Sequence, residues 1–400
     1  MKIKLLLCLL FFQSSLLASS VDELQKKSLF YMKQNELEEV RKKLTADLGK
    51  GYIASYRAKR ELSQLSDLQE KFDKVQSRRK QLTCSSVDLR NESLGEVRNQ
   101  GSIGWCFAYA TADLLSYELG EQVSARNVAQ NYHHKREADT AEEFIEGGSI
   151  KAAADSSMEF GVCKESDMPS NNKMRYSAND SSYSFKDIFL ELERLKEVQE
   201  DQITEATIKP VLRPWAFKAY QKLFSNADDY KVSPVCDTYY LLKEIFPTIT
   251  VDSVRKVIAK NSFDEYTDTL FEELCPTSGR LKQQIPIDEK WIDKDSVDDQ
   301  FDALDKINAL LDGKNGDAQI IGIAYAGKMI SKKDHTYTGV SHASTIVGRK
   351  TDPITGECKY LVRNTWGNTY KRSLDDENGN IWVSRDELME NVGAITFVKK

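Results

Sequence analysis

The chain has 400 residues, of which 40% are hydrophobic and 30% charged, with a formal net charge of −6. That is enough apolar sequence for at least one substantial core and two or three folding units. So small a charge offers no basic footprint for nucleic acid or for an anionic membrane surface, and both partner classes are set aside.

In chain order, residues 1–20 read as a secretory signal peptide: Lys2 and Lys4 precede the apolar run Leu5 to Phe12, and small residues end at Ala18-Ser19-Ser20. The run is shorter than the ~20 residues of a membrane span, so no stable membrane insertion is expected once it is removed. A secreted or periplasmic, bacterial setting that permits disulfides follows. Cys8 leaves with the signal, and Cys84, Cys106, Cys163, Cys236, Cys275 and Cys358 remain. Their connectivity cannot be read from spacing.

Residues 21–83 are dense in both charge signs, with apolar residues at helical steps, Leu37, Val40, Leu44 and Leu48, then Leu65, Leu68, Phe72 and Val75. Gly49 and Gly51 predict a break between two helices. A packed hairpin or coiled coil and a propeptide over a cleft both fit, and QSRRKQLT before Cys84 is a candidate cleavage stretch. Residues 84–170 alternate short helical patterns with turns, including Gly147-Gly148. Residues 171–299, rich in Lys, Glu and Asp with helical runs at Asp187–Gln199 and Ala216–Phe224, are expected to be a helical insertion. Residues 300–400 turn to strands: AQIIGIAYA, HASTIVGRK, KYLVRNTW, GNIWVS and AITFVKK, separated by turn residues such as Asp352-Pro353 and Asn378-Gly379. The fold class is α+β, with a site between helical and sheet halves.

A thiol attacks as its thiolate, and at an ordinary pKa of about 8.5 it is mostly protonated near neutrality. Phe107 to Glu118 predict a helix whose first turn holds Cys106, where free backbone N–H groups favour negative charge. An imidazolium would favour it further. His342 heads an alternating strand and is the best placed, although a hydrogen-bonded core histidine fits the same pattern. His133 and His134 fall in a charged stretch that reads as solvated surface, and with cysteine they lack the spacing of a zinc site; no metal is expected. His335 reads as loop. Asn364, in VRNTWGN, offers a carboxamide to orient an imidazole, with Trp366 to keep water from that bond; alone it is turn chemistry.

Taken together, these blocks resemble the papain-like cysteine peptidases, family C1. NQGSIGWCFAYA is similar to that family's nucleophile block, VDLR to its mature start, Gly147-Gly148 and GVCKESDMP to its cleft segments, and SHASTIVG and RNTWGN to its His and Asn blocks. The resemblance implies a two-lobed fold, helical lobe plus antiparallel sheet or barrel lobe. It implies Cys106 as nucleophile, His342 as base and acid, Asn364 as its orienter and Gln100 as oxyanion donor, with Gly147, Gly148 and Trp366 at the substrate and a peptide or protein as partner. No cofactor is needed. The Cys106 to His342 separation exceeds the family's ~130–150 residues by roughly the size of the 171–299 block. Ile103 stands where the family has a cysteine, Trp105 where it has Ser or Ala, and Phe107 at its usual Trp; Trp105 is expected to crowd the cleft. The amino-terminal segment lacks the family's inhibitor pattern. A silent scaffold of the same fold, or an acyl transferase using the same dyad, remain the alternatives.

Overall fold

The computed structural model describes residues 20–81, 84–101, 103–137, 143, 147–170, 246, 248–314, 316–330, 340–367 and 376–400. Cys8, Cys236, His335, nearly all of the signal segment and both helical runs expected at 187–199 and 216–224 lie outside them. The chain is α+β. Helices α1 (Ser20–Gln25), α2 (Gln34–Asp47) and α3 (Tyr52–Gln81) come first, followed by the short strand β1 (Val87–Asp88). Then come α4 (Cys106–Leu119), α5 (Ala125–Lys135), α6 (Ile150–Phe160), α7 (Val251–Ile258) and α8 (Phe263–Leu274). The remainder is β2 (Ile287–Trp291), α9 (Val297–Leu311), β3 (Ile321–Ala326), β4 (Val340–Thr351), β5 (Cys358–Arg363), β6 (Asp376–Glu377), β7 (Asn380–Ser384), α10 (Arg385–Asn391) and β8 (Val392–Val398).

The strands form one antiparallel sheet in the order β2-β8-β3-β4-β5-β7-β6, with β1 also on β4. Both faces are covered, which is why β8 reads VGAITFV and is buried at every residue. Alternation sends neighbouring side chains to opposite faces. Leu361 and Val347 join the core of α4, α5 and α6, whereas Tyr360, Val362 and Ile346 join a second core under α9 and α10. Helix α4 is apolar nearly all round and buried from Phe107 to Ser116, so it is the axle of the first core. Gly120, at φ +69°, ends it in the left-handed conformation that glycine adopts without strain.

The amino-terminal helices have a small core of their own, including Leu37, Val40, Leu44, Leu65, Leu68 and Phe72, and the break at Gly49 and Gly51 falls between α2 and α3. Val75 and Phe30 then dock on the α9 side of the sheet, the face opposite α4. A segment held there does not lie over a cleft at Cys106. The QSRRKQ part of the expected cleavage stretch is the last turns of α3 rather than an exposed linker. Arg78 pairs with Asp302 and Asp305, and Arg79 with Asp386, so both arginines are spent on α9 and α10, while Lys80 is exposed.

The limits expected for the insertion also shift. Phe246, Val254, Val257, Leu270 and Phe271 are buried in the same core as Phe107 and Leu114, and a Cys163–Cys275 disulfide ties α8 to the segment after α6. Strand β2, placed by sequence inside the 171–299 block, is a sheet strand on β8. Residues 246–291 therefore complete the two halves, because their apolar faces find partners that no local pattern names. A second disulfide, Cys84–Cys358, anchors the start of this body to β5.

Candidate active site

Cys106 is the first residue of α4 and, among the described residues, the one free cysteine, half-buried. Burial pushes its thiol above the ordinary value, while the backbone N–H groups of Ala343, Phe107 and Cys106 itself pull the other way by favouring the thiolate. The Ala343 contact puts the sulfur beside the residue that follows His342. Trp105 does not crowd the cleft as expected. Its side chain is 1% exposed, turned into the helical core 6.3 Å from the His133 ring.

His342 enters from β4, directly opposite Tyr325 of β3 in the strand register. Trp366 stacks on its ring, centroids 4.6 Å apart and planes 25° apart, and Tyr325 packs edge-on at 5.4 Å. The Tyr325 hydroxyl is held in turn by Ser344 at 2.9 Å. His342 Nε2 lies 3.0 Å from Asn364 Oδ1. With that oxygen as acceptor, Nε2 carries the hydrogen and Nδ1 keeps a lone pair, the tautomer able to accept a proton from a thiol. Burial lowers the His342 pKa to about 4, against the opposing pull of the Asn364 bond. Burial thus disfavours either charge taken alone. A proton passed from one to the other creates two adjacent opposite charges, and each offsets the desolvation of the other.

Gln100 is buried and fully braced. Its side-chain Nε2 donates to the Ile103 carbonyl at 2.7 Å, its Oε1 accepts from the Thr365 hydroxyl, and its backbone N–H donates to the Thr365 carbonyl at 2.8 Å. The amide nitrogen has a second hydrogen to give. Gly147 passes along the loop before Cys106, where an added Cβ would come 3.8 Å from the Gly104 carbonyl. At Gly148 a Cβ would meet the Tyr132 and Phe107 rings at under 3 Å, so only glycine fits. Trp366, expected at the substrate, stacks on His342 and stays partly exposed.

His133 corrects the surface assignment. It is 1% exposed among Trp105, Phe107 and Tyr132, and burial, followed by the nearby Arg136 charge, lowers its pKa to about 3. The charged stretch misled because the ring sits on the inner face of α5, one position before the exposed side. His134 is on that side, 3.0 Å from Asp268 and 3.9 Å from Asp264 of α8, a polar contact between helices. Among the described residues this trio alone has the composition of a metal site. It belongs to the joint between α5 and α8. A cavity of about 620 Å³ lies between the amino-terminal helices and the α9 side, touching Phe30, Lys71 and Lys294 and none of the site residues.

Sequence reading missed Tyr325, Thr365 and the backbone of Ala343. The one available signal was the pairing of AQIIGIAYA with HASTIVG, which puts a tyrosine opposite the histidine. No protein-family model and no curated protein matches the sequence. Among solved structures the chain is similar to a ragweed pollen cysteine protease in its proform, at 14% identity and TM-score 0.37, covering 79% of this chain and 66% of that one. It is also similar to digestive procathepsin L 3 of Tenebrio molitor larval midgut, at 13% and 0.36, covering 80% and 71%. A third is the bromelain protease of Ananas comosus in complex with the E64 inhibitor, at 13% and 0.38, covering 79% and 99%.

Proposed function

We propose that this protein is a papain-like cysteine endopeptidase that hydrolyses peptide bonds. The observation that carries the reading is His342, fixed between Trp366 and Tyr325 with Nε2 on Asn364, next to the residue whose backbone N–H reaches the free Cys106 thiol at the head of α4. In this reading Cys106 passes its proton to His342 Nδ1, and the thiolate attacks the substrate carbonyl carbon. The oxygen that becomes negative is held by the Cys106 backbone N–H and the second amide hydrogen of Gln100, each such donor being worth on the order of 3 kcal/mol. His342 then protonates the leaving amine. It next takes a proton from water as the acyl-enzyme hydrolyses, and the thiol is restored. Asn364 prevents the ring from rotating, and Trp366 keeps water from competing for that bond.

Gly147 and Gly148 would form one wall of the substrate groove and offer backbone groups to an extended peptide. Two disulfides among the described residues support a secreted or periplasmic setting, and no described helix is long and apolar enough to cross a membrane. The reading does not require removal of residues 21–83, since they pack on the face opposite α4.

The test is hydrolysis of an unstructured protein substrate together with labelling by a peptidyl epoxide. We expect the label on Cys106 and a fall in kcat of at least about 10⁴-fold in Cys106→Ala. Undiminished hydrolysis in Cys106→Ala overturns the assignment. Product that appears only when an amine acceptor is added would make the protein an acyl transferase instead.

A further inference from the structure

One buried carboxylate joins the segments that carry the proposed catalytic groups. Asp113, 3% exposed, lies about two turns after Cys106 on α4. Its Oδ1 accepts from Arg98 Nη2 at 2.7 Å, and its Oδ2 from Arg363 Nε at 3.1 Å and from the Thr345 hydroxyl at 3.4 Å. Arg98 stands two residues before Gln100 and also donates to the Val123 carbonyl at 2.6 Å and to Glu165 at 3.3 Å. Arg363 directly precedes Asn364. Its remaining nitrogens hold the carbonyls of Leu94 and Glu96, each at 2.7 Å, and of Gly95 at 3.2 Å. The same two segments are zipped by Gln100 N–H to the Thr365 carbonyl and by Gly367 N–H to the Arg98 carbonyl at 3.1 Å.

The charges decide what this carboxylate does. Two guanidinium groups, both under 10% exposed, are held close together in the interior, and each disfavours the other's charge there. Asp113 lies between them and satisfies both, with Glu165 on Arg98 bringing this group of four towards neutrality; Tyr109 and Arg126 stand beside Arg98 and Glu165, and Arg90 beside Arg363. Without Asp113 the arginines repel and lose their hydrogen bonds to α4, leaving Arg98 its 5.7 Å cation–π contact with Tyr109. The backbone carrying Gln100 and Asn364 is then free to shift against the helix carrying Cys106.

We propose that Asp113, through Arg98 and Arg363, is a positioning residue that sets the separation between Cys106 and the His342–Asn364 pair; this rests on the peptidase reading above. In the full-length protein, Asp113→Asn keeps the side-chain shape and removes the charge. A displacement of about 1 Å costs about 100-fold in rate, so kcat should fall about 10- to 100-fold with KM changed less than about threefold. Alkylation of Cys106 by iodoacetamide at pH 6 should slow by a similar factor. A merely structural bolt would lower the melting temperature and leave kcat and the pH profile of alkylation at wild-type values, and that result overturns the proposal. Should Asp113→Asn not fold, Arg363→Lys keeps a positive charge for Asp113 and drops the grip on Leu94 to Glu96; it should show the same kcat-selective loss, and unchanged kcat overturns the proposal. If wild-type Cys106 alkylates at pH 6 no faster than free cysteine, the peptidase reading fails first and this one falls with it.

Discussion

Two joints in this molecule are laced with ion pairs, and they do different work. Between α4 and the sheet, Arg98, Asp113 and Arg363 are all buried, and the carboxylate pairs with both guanidinium groups. Between the amino-terminal helices and α9, Lys74–Asp298 and Arg78–Asp305 lie in the open, where water competes and long side chains lose entropy on pairing. The buried set is costly to assemble and cannot be left half-made, so it enforces one geometry. The exposed set leaves attachment to Phe30, Val75 and Phe301 and to the better-shielded Arg79–Asp386 pair. If the proposed site is right, charge serves registration at the joint beside Cys106 and little more than decoration at the other.

The largest effect should come from halving the buried set. Arg98→Met takes one of the two cations from Asp113 and should cost about 3–5 kcal/mol in urea unfolding; a loss below about 1 kcal/mol would show that the two joints are alike. Next is the covalent tie at the junction of the two regions. Replacing both Cys84 and Cys358 with Ser should cost about 2–4 kcal/mol by loosening constraint on the unfolded chain. The site behind α4 should keep its activity, checked by peptide turnover below the shifted melting point.

A pH effect separates the regions more gently. His133 has a folded pKa of about 3, below its ordinary value of 6.5, so the unfolded state binds the extra proton. Its contribution is present above about pH 6.5 and is lost as pH falls towards 3. Wild type should therefore lose melting temperature between pH 7 and pH 4.5 more steeply than His133→Phe, and equal slopes would place the ring in contact with water. The smallest effect is expected at the exposed joint. Arg78→Ala should change stability by under about 1 kcal/mol and leave turnover unchanged; a larger loss would mean that the amino-terminal helices are held by charge after all.

Much of the site was legible in the chain because it is written locally. Cys106 needs only a helix start, His342 a strand start, and Asn364 with Trp366 a short block after the next strand. The break at Gly49 and Gly51 and the strands from Ala318 onward are equally local. His133 was misread because one position on a helix separates core from solvent, and its partners Trp105 and Phe107 are far away in sequence. Strand β2 was missed because IDEKW has too few apolar residues to announce itself; its pairing with β8 supplies what its side chains lack.

The sequence by itself determined the chemical inventory, the α+β alternation and the order of the Cys106, His342 and Asn364 blocks, since periodicity and residue type are properties of neighbours along the chain. Only the tertiary structure decided which cysteines pair, which face of the sheet the amino-terminal helices occupy, and that Asp113 lies between two arginines. Those are outcomes of packing between distant segments, where burial makes an unpaired charge or an uncovered apolar face too costly to keep, and no short stretch of residues carries that information.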